Sequence, residues 1–275
     1  MLRQSYLIAP PFLLLLLLAA APLAAQQRLP GNANIYDASD IGIVYDHELT
    51  FNVAIATPRN FSFGVRSGKL LSFDKTRFWT LTFGDIRHSR ERKENPDRLN
   101  PLNNRISRGY VLGKQNQLYA LRLGFGKRKY LSEKARQRGV AVGYSYEFGP
   151  SLGLLKPYYL EVDAAEPNNP GNIIDVRYTG DNDNVFLNQQ RIFGGSAWTL
   201  GLDEISLRPG VHAKFATHFG FGAFDETAKS LEAGVLADFF LGDTDIMVES
   251  EFTPGVRNSP LFLSLFVNLQ IGKRW

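Results

Sequence analysis

The 275-residue chain contains no cysteine, which removes disulfides, zinc–thiolate sites, cysteine nucleophiles and lipid attachment at an amino-terminal cysteine. Its 31 basic and 27 acidic residues are too nearly balanced to argue for a nucleic-acid partner, and no cofactor is implied. Beyond the amino terminus no stretch approaches the roughly 18 consecutive apolar residues of a spanning helix, so a membrane role would fall to strands.

At the start of the chain Arg3 precedes an apolar run over 11–21, and Leu23-Ala24-Ala25 before Gln26 suits signal peptidase. Residues 1–25 are read as a cleaved signal peptide and 26–39 as an N-terminal periplasmic segment. Losing Arg3 lowers the net charge from +4 to about +3. No Pro/Gly/Ser linker divides the remainder, and 40–275 is read as one β-domain.

From there apolar residues alternate with small or polar ones in segments of about 10 residues, the length of a tilted spanning strand. Leu49, Phe51, Val53 and Ile55 oppose Glu48, Thr50, Asn52 and Ala54, and Pro58-Arg59-Asn60 supplies a turn. Segments 61–71 and 77–87 follow, the second with Trp79, Leu81 and Phe83 opposite Phe78, Thr80 and Thr82. Residues 88–105 are too polar and proline-interrupted to be embedded, and are read as a long extracellular loop. A short strand is expected over 106–114. Within 117–130, Tyr119, Leu121, Leu123 and Phe125 face one way and Ala120, Arg122, Gly124 and Gly126 the other.

Val140, Val142, Tyr144, Tyr146 and Phe148 repeat this against Ala141, Gly143, Ser145 and Glu147, and the pattern runs on through Leu152, Leu154, Leu160 and Val162 as one bent strand or two. Residues 163–205 form an irregular insertion in which 198–205 reads as a short amphipathic helix. Alternation resumes over 211–221 and 231–241, and Ile246, Val248 and Phe252 then oppose Glu249 and Glu251. In the last stretch Leu261, Leu263, Leu265, Val267, Leu269 and Ile271 share one face, with Ser264, Asn268, Gln270, Gly272 and two phenylalanines on the other.

In hydrocarbon every backbone amide needs an internal partner, so strands cross only as a closed barrel. The expected fold is all-β, an antiparallel transmembrane β-barrel of about ten strands, with eight or twelve also allowed. A soluble β-sandwich alternates too. The export signal, absent cysteine, 12% aromatic share and terminal Trp275 favour the barrel. Trp79, Tyr119, Tyr144, Tyr146 and Trp275 suit interfacial girdles.

Leu269, Ile271 and Trp275, an apolar strand closed by an aromatic carboxyl-terminal residue, resemble the assembly signal of bacterial outer-membrane β-barrel proteins. Segments 149–157 and 260–275 are similar to parts of uncharacterised members of that broad class. The resemblance spans about 40–275 and implies an integral place in the bacterial outer membrane. It further implies lipid and lipopolysaccharide as surroundings, and barrel-assembly machinery and periplasmic chaperones as partners. It supplies no chemistry, because the class hosts pores, adhesins, lipid-modifying enzymes, proteases and assembly factors.

The strongest constellation lies on the hairpin 208–242. A turn centred on Asp225 sets His218 opposite Glu232 and His212 opposite Asp238, on the inner face with Lys214. A His beside a carboxylate suits general-base catalysis or a pH-sensitive latch. A ladder of paired luminal charges is the preferred reading, since interior charges need partners. The histidines lie roughly 20 Å apart along one strand, too far to share a metal ion. Gly149-Pro150-Ser151-Leu152-Gly153 matches G-x-S-x-G, but strand character on both sides favours a bend or bulge over a nucleophile elbow. Asp181 and Asp183 offer oxygen ligands for calcium, although the match is short and a solvated turn fits better.

Arg122, Glu147, Lys214, Glu249 and Glu251 are expected to line the lumen with Glu232 and Asp238. A barrel this small is nearly filled by its side chains. The expected role is therefore structural or interactive, with partners met through loops 88–105 and 163–205. A narrow solute channel and a lipid hydrolase using a His–carboxylate pair are the alternatives.

Overall fold

A computed structural model describes residues 46–72, 74–99, 105–131, 140–164, 172–221 and 226–275. The expected signal peptide 1–25, the segment 26–39 and the turn at Asp225 lie outside the described residues. In chain order the strands are β1 (His47–Ala56), β2 (Asn60–Ser72), β3 (Lys75–Ile86), β4 (Lys93–Glu94), β5 (Tyr110–Val111), β6 (Asn116–Tyr130) and β7 (Val140–Pro157). Then come β8 (Tyr159–Asp163), β9 (Ile173–Arg177), the one-turn helix α1 (Asp183–Phe186), β10 (Ile192–Gly195), β11 (Ser206–Phe221), β12 (Thr227–Phe240) and β13 (Leu261–Arg274).

The long strands β1, β2, β3, β6, β7, β11, β12 and β13 close into an antiparallel barrel in that order, and β13 pairs with β1 to seal it. Period-two patterning dictates which side each residue takes. In β13 the buried Ser264, Phe266, Asn268 and Gln270 alternate with the exposed Leu263, Leu265, Val267, Leu269 and Ile271. The same inversion, polar within and apolar without, recurs around the wall: Phe51, Phe63, Leu81, Leu123, Phe148, Phe215 and Val235 all point outward.

The two rims differ. The strand ends joined by the short stretches 73–74, 131–139 and 222–226 share one rim with His47 and Arg274. There the His47 amide donates to Trp275 O at 2.9 Å, and the two rings stack at 6.2 Å. The opposite rim carries the turn 57–59 and the long excursions 87–115, 158–205 and 241–260.

The described residues of these excursions fold over their rim as a cap. β10, β8 and β9 form a three-stranded sheet, and β4 pairs with β5. Tyr110, Leu160, Val162, Phe186, Leu187, Ile192 and Val248, drawn from all three excursions, make its core. A second cluster fills the barrel mouth beneath, where Ile246 and Met247 pack on Ile86, Leu118, Leu155 and Phe240. Basic residues of the first excursion fasten the cap: Arg98 donates to Gln190 O at 2.8 Å and Ile192 O at 2.9 Å, Arg105 pairs with Glu161 at 2.5 Å, and Lys114 with Glu91 at 2.7 Å.

The barrel therefore has eight strands rather than about ten. The expected strands at 106–114 and before 261 belong to the cap. Ile246, Met247 and Val248 are buried consecutively because both their sides meet protein, which destroys the alternation that marks a wall strand. Glu249 and Glu251 are exposed on this excursion and do not line the lumen. The segment 140–163 is one wall strand followed by the cap strand β8. No helix forms over 198–205: the segment breaks into turns around Gly201, whose φ is +77°, and the short helix lies at Asp183–Phe186 instead.

Asp245, in the excursion over the mouth, is held above the ordinary Asp range by burial and by the carboxylates of Asp243 and Glu249, against a smaller pull from Arg208. An acid that binds its proton more tightly when folded costs stability as pH rises through its folded value. Asp245→Asn should therefore raise the cap melting temperature, followed by Trp198 fluorescence, at about pH 7, and the gain should vanish near about pH 3. On the wall, a Cβ at Gly234 would lie 2.0 Å from Phe215 O and 2.6 Å from Ala216 Cα. Gly234→Val should cost at least about 1–3 kcal/mol through overpacking and lower the urea midpoint, whereas Ala233→Val on the outward face should leave it almost unchanged.

Candidate functional site

The register of β11 on β12 sets residues with numbers summing to 450 opposite one another, so His212 faces Asp238 and His218 faces Glu232. All four are buried in the lumen. Their side chains do not pair as two simple dyads. Asp238 is taken by Arg122 of β6, which reaches both carboxylate oxygens at 2.6 and 2.9 Å. His212 turns instead toward Glu147 of β7, with Nε2 to Oε1 at 3.4 Å.

Glu232 is the hub. Arg66 of β2 donates to its two oxygens at 2.7 and 3.1 Å, Ser145 of β7 donates at 3.0 Å, and Asn268 of β13 donates at 3.1 Å. His218 Nδ1 lies 3.1 Å from Oε1, and Lys214 Nζ approaches Oε2 at 4.0 Å while sitting 4.5 Å above the Phe266 ring. Five different strands thus converge on one carboxylate, counting its own.

Layers on either side repeat the motif. Toward the short-turn rim, Glu48 accepts two bonds from Arg128 at 3.1 Å and one from Arg274 at 3.0 Å, and Tyr130 Oη lies 3.3 Å from His218 Nε2. Toward the cap, Thr80 donates to Glu147 at 2.6 Å, and Arg66 approaches the same carboxylate at 3.5 Å. Gly124 makes this possible, since a Cβ there would stand 2.2 Å from Glu147 Oε1. Above Arg122 and Asp238 the lumen turns apolar at the mouth cluster.

Glu48, Arg66, Arg128 and Arg274 are the charges that sequence reasoning left unassigned. Their signal was present: Arg128 shares the parity of Arg122, and Arg66 lies between the inward Gly64 and Gly68. Ser151 points into the lumen from the middle of β7, and its Oγ has no hydrogen-bond partner among the described residues. β7 runs straight through Pro150 in one register against β11, so the expected bulge is absent. Against β6 the ladder skips from Arg122–Ser151 to Phe125–Phe148 without a shift, because Pro150 has no amide to donate. No strand–turn–helix elbow exists there. Asp183 opens α1, and Asn182 closes the adjacent turn by accepting from Thr179 N at 3.1 Å and donating to Arg177 O at 2.7 Å. Among the described residues no three His, Asp or Glu side chains gather as for a metal.

Leu269, Ile271 and Trp275 are exposed on the outer face at the sealing seam. Trp79, Tyr144, Tyr146 and Trp275 sit toward the short-turn rim. Tyr119 lies toward the capped rim, where its hydroxyl accepts from Trp198 Nε1 at 2.9 Å.

Chemically, a carboxylate whose lone pairs are filled by an arginine fork, a serine, an asparagine and an imidazole has no vacant position for a substrate proton. Its proper work is to tie strands together. Glu232→Leu should cost about 3–5 kcal/mol by leaving Arg66 buried without its main partner, while the outward Leu231→Val should cost about 0.5 kcal/mol or less. Urea unfolding of the refolded barrel compares them, and Arg66→Met in the Glu232→Leu background should recover much of the loss.

No family model matches the sequence, and no curated protein matches it. Among solved structures, the chain is similar to Ail, the attachment invasion locus protein of Yersinia pestis, solved with the heparin analogue sucrose octasulfate: 7% identity, TM-score 0.37, covering 85% of this chain and 100% of that one. It is likewise similar to Neisserial surface protein A, with 7% identity and TM-score 0.37 over 84% of this chain and 95% of that one.

Proposed function

We propose that this chain is an integral protein of the bacterial outer membrane, a plugged eight-stranded barrel that holds a folded cap at the cell surface for a structural or interaction role. The observation that carries this reading is the inverted polarity of the wall. Phe51, Phe63, Phe125, Phe148 and Phe215 are each more than half exposed while Glu232, Arg66 and Arg128 are almost fully buried, an arrangement that suits hydrocarbon outside and wastes burial in water.

The unequal rims support an orientation, with short turns toward the periplasm and long excursions outside. Trp275, with Leu269 and Ile271 beside it on the sealing seam, fits the role of an assembly signal read by the barrel-assembly machinery after chaperoned passage through the periplasm. Arg90 and Arg92 at the cap edge leave room for lipopolysaccharide contact, whereas Arg98, Arg105 and Lys114 are spent inside the cap.

A narrow channel fits less well, because the ion-pair layers and the apolar mouth cluster stand in series across the lumen. A hydrolase fits less well still, because Glu232 is saturated and the Ser151 hydroxyl hydrogen-bonds to no base among the described residues. Refolded into vesicles, the protein should migrate faster unheated than boiled on a detergent gel, keep a protease-resistant core and pass no steady single-channel current. Stable conductance would favour the channel, turnover of phospholipid lost on His218→Ala would favour the hydrolase, and release by alkaline carbonate would remove the membrane reading.

A further inference from the structure

Near the short-turn rim, directly opposed residues form rows across the outer wall. One row reads His47, Lys69, Arg77, Lys127 and Tyr146 from β1 through β2, β3 and β6 to β7. The next row toward the cap reads Leu49, Ser67, Trp79, Phe125 and Phe148. The rows border a groove of about 610 Å³ on this face of the wall.

Opposed side chains on neighbouring strands stand about 5 Å apart at Cβ, and like charges so placed repel. Lys69, Arg77 and Lys127 are all exposed, and among the described residues none is in an ion pair. Two carboxylates lie closer to the rim: Asp46, whose backbone carbonyl accepts from Leu70 N, forms no ion pair with the three cations, and Asp74 in the β2–β3 turn is held by Ser72 Oγ at 2.6 Å beside Lys75 and Lys129. The three cations therefore present an uncompensated anion site on the wall itself.

The row behind them identifies the anion. Two residues along a strand, roughly 7 Å, the surface passes from cations to Trp79 and Phe125, and beyond these to Leu81 and Leu123. A free anion has no use for that apolar continuation. A lipid has, because its phosphate, glycerol and acyl chains follow in the same order over the same distance.

We propose that this groove binds an anionic phospholipid, with Lys69, Arg77 and Lys127 holding its phosphate and Trp79 and Phe125 receiving the start of its acyl chains. The proposal rests on the membrane reading above. The arginine fork suits two phosphate oxygens and the flanking lysines add charge.

Trp79 is one of only three tryptophans, so a Trp198→Phe, Trp275→Phe chain reports from this groove alone. That chain is folded into phosphatidylcholine vesicles doped with phosphatidylglycerol or phosphatidylcholine bearing the same brominated acyl chains. Brominated phosphatidylglycerol should quench Trp79 more strongly at equal mole fraction, with a preference of about fivefold for each cation engaged. The preference should disappear in Lys69→Gln/Arg77→Gln/Lys127→Gln and persist in Lys69→Arg/Lys127→Arg, with gel migration confirming that each variant folds. Equal quenching by both lipids overturns the proposal while leaving the membrane reading intact, as does a preference that survives the triple glutamine variant. Loss of the preference on adding inorganic phosphate also overturns it, by assigning the row to a free anion. Absence of quenching by either lipid overturns the membrane reading and this site with it.

Discussion

Eight strands enclose little more space than their own inward side chains occupy, so a charge placed in the lumen must find its partner on another strand. That constraint shapes the wall. Arg66 and Glu232 are 166 residues apart in the chain, Arg122 and Asp238 116, and Glu48 and Arg274 226, yet each pair meets within hydrogen-bonding distance. None of these contacts exists until the sheet has closed in one register. A slip of one residue would turn every inward charge outward, and a slip of two would leave each facing the wrong neighbour. Charge pairing thus selects the register that the backbone ladder alone would leave underdetermined.

The same economy explains why the lumen changes character along its axis. Toward the short-turn rim the filling is ionic, with Glu48, Glu147 and Glu232 met by arginine, histidine, lysine and hydroxyl groups. Toward the cap it becomes apolar, because Ile246 and Met247 descend from the third excursion and must be covered by Ile86, Leu118, Leu155 and Phe240. The cap is therefore rooted in the barrel by its own hydrophobic core. Excursions of this length are ordinarily mobile when unsupported. Here Arg98 and Arg105 tie the first excursion to the second, and backbone bonds from Gln115 N to Ile246 O and from Val248 N to Gly113 O tie it to the third, which gives a candidate interaction surface a fixed shape.

Much of the wall was legible because two environments impose a strict period of two. The faces of β6, β7, β11, β12 and β13 follow directly from alternation, and so does the β11–β12 register once Asp225 is taken as the turn. The strand count was less legible. Cap segments are apolar too: 106–114 holds only the two-residue cap strand β5, and 246–248 looks like part of a wall strand until its consecutive burial is seen. Glu249 and Glu251 were misplaced for the same reason. The partners of the histidines were hidden by a different limit: alternation tells which residues point inward but not which reach across. Asp238 stands opposite His212 in the ladder, yet the longer Arg122 claims it from three strands away. Diagonal and transverse contacts depend on side-chain length and on voids such as the one Gly124 leaves for Glu147, and neither is written in the period.

The nearly neutral net charge of the sequence conceals a sharp division of labour among its basic residues. Arg66, Arg122, Arg128 and Arg274 are consumed by luminal carboxylates, and Arg98, Arg105 and Lys114 by the cap. Lys69, Arg77 and Lys127 stand apart, in register on the outer wall, exposed and flanked by aromatic rings rather than by acids. A charge count cannot separate these populations, because it records neither face nor height. Strand register does both. It converts residues far apart in sequence into a row at one depth, and depth is the coordinate along which a membrane passes from water to phosphate to hydrocarbon. The interior charges thus account for how the barrel holds together, while the exterior ones bear on what surrounds it.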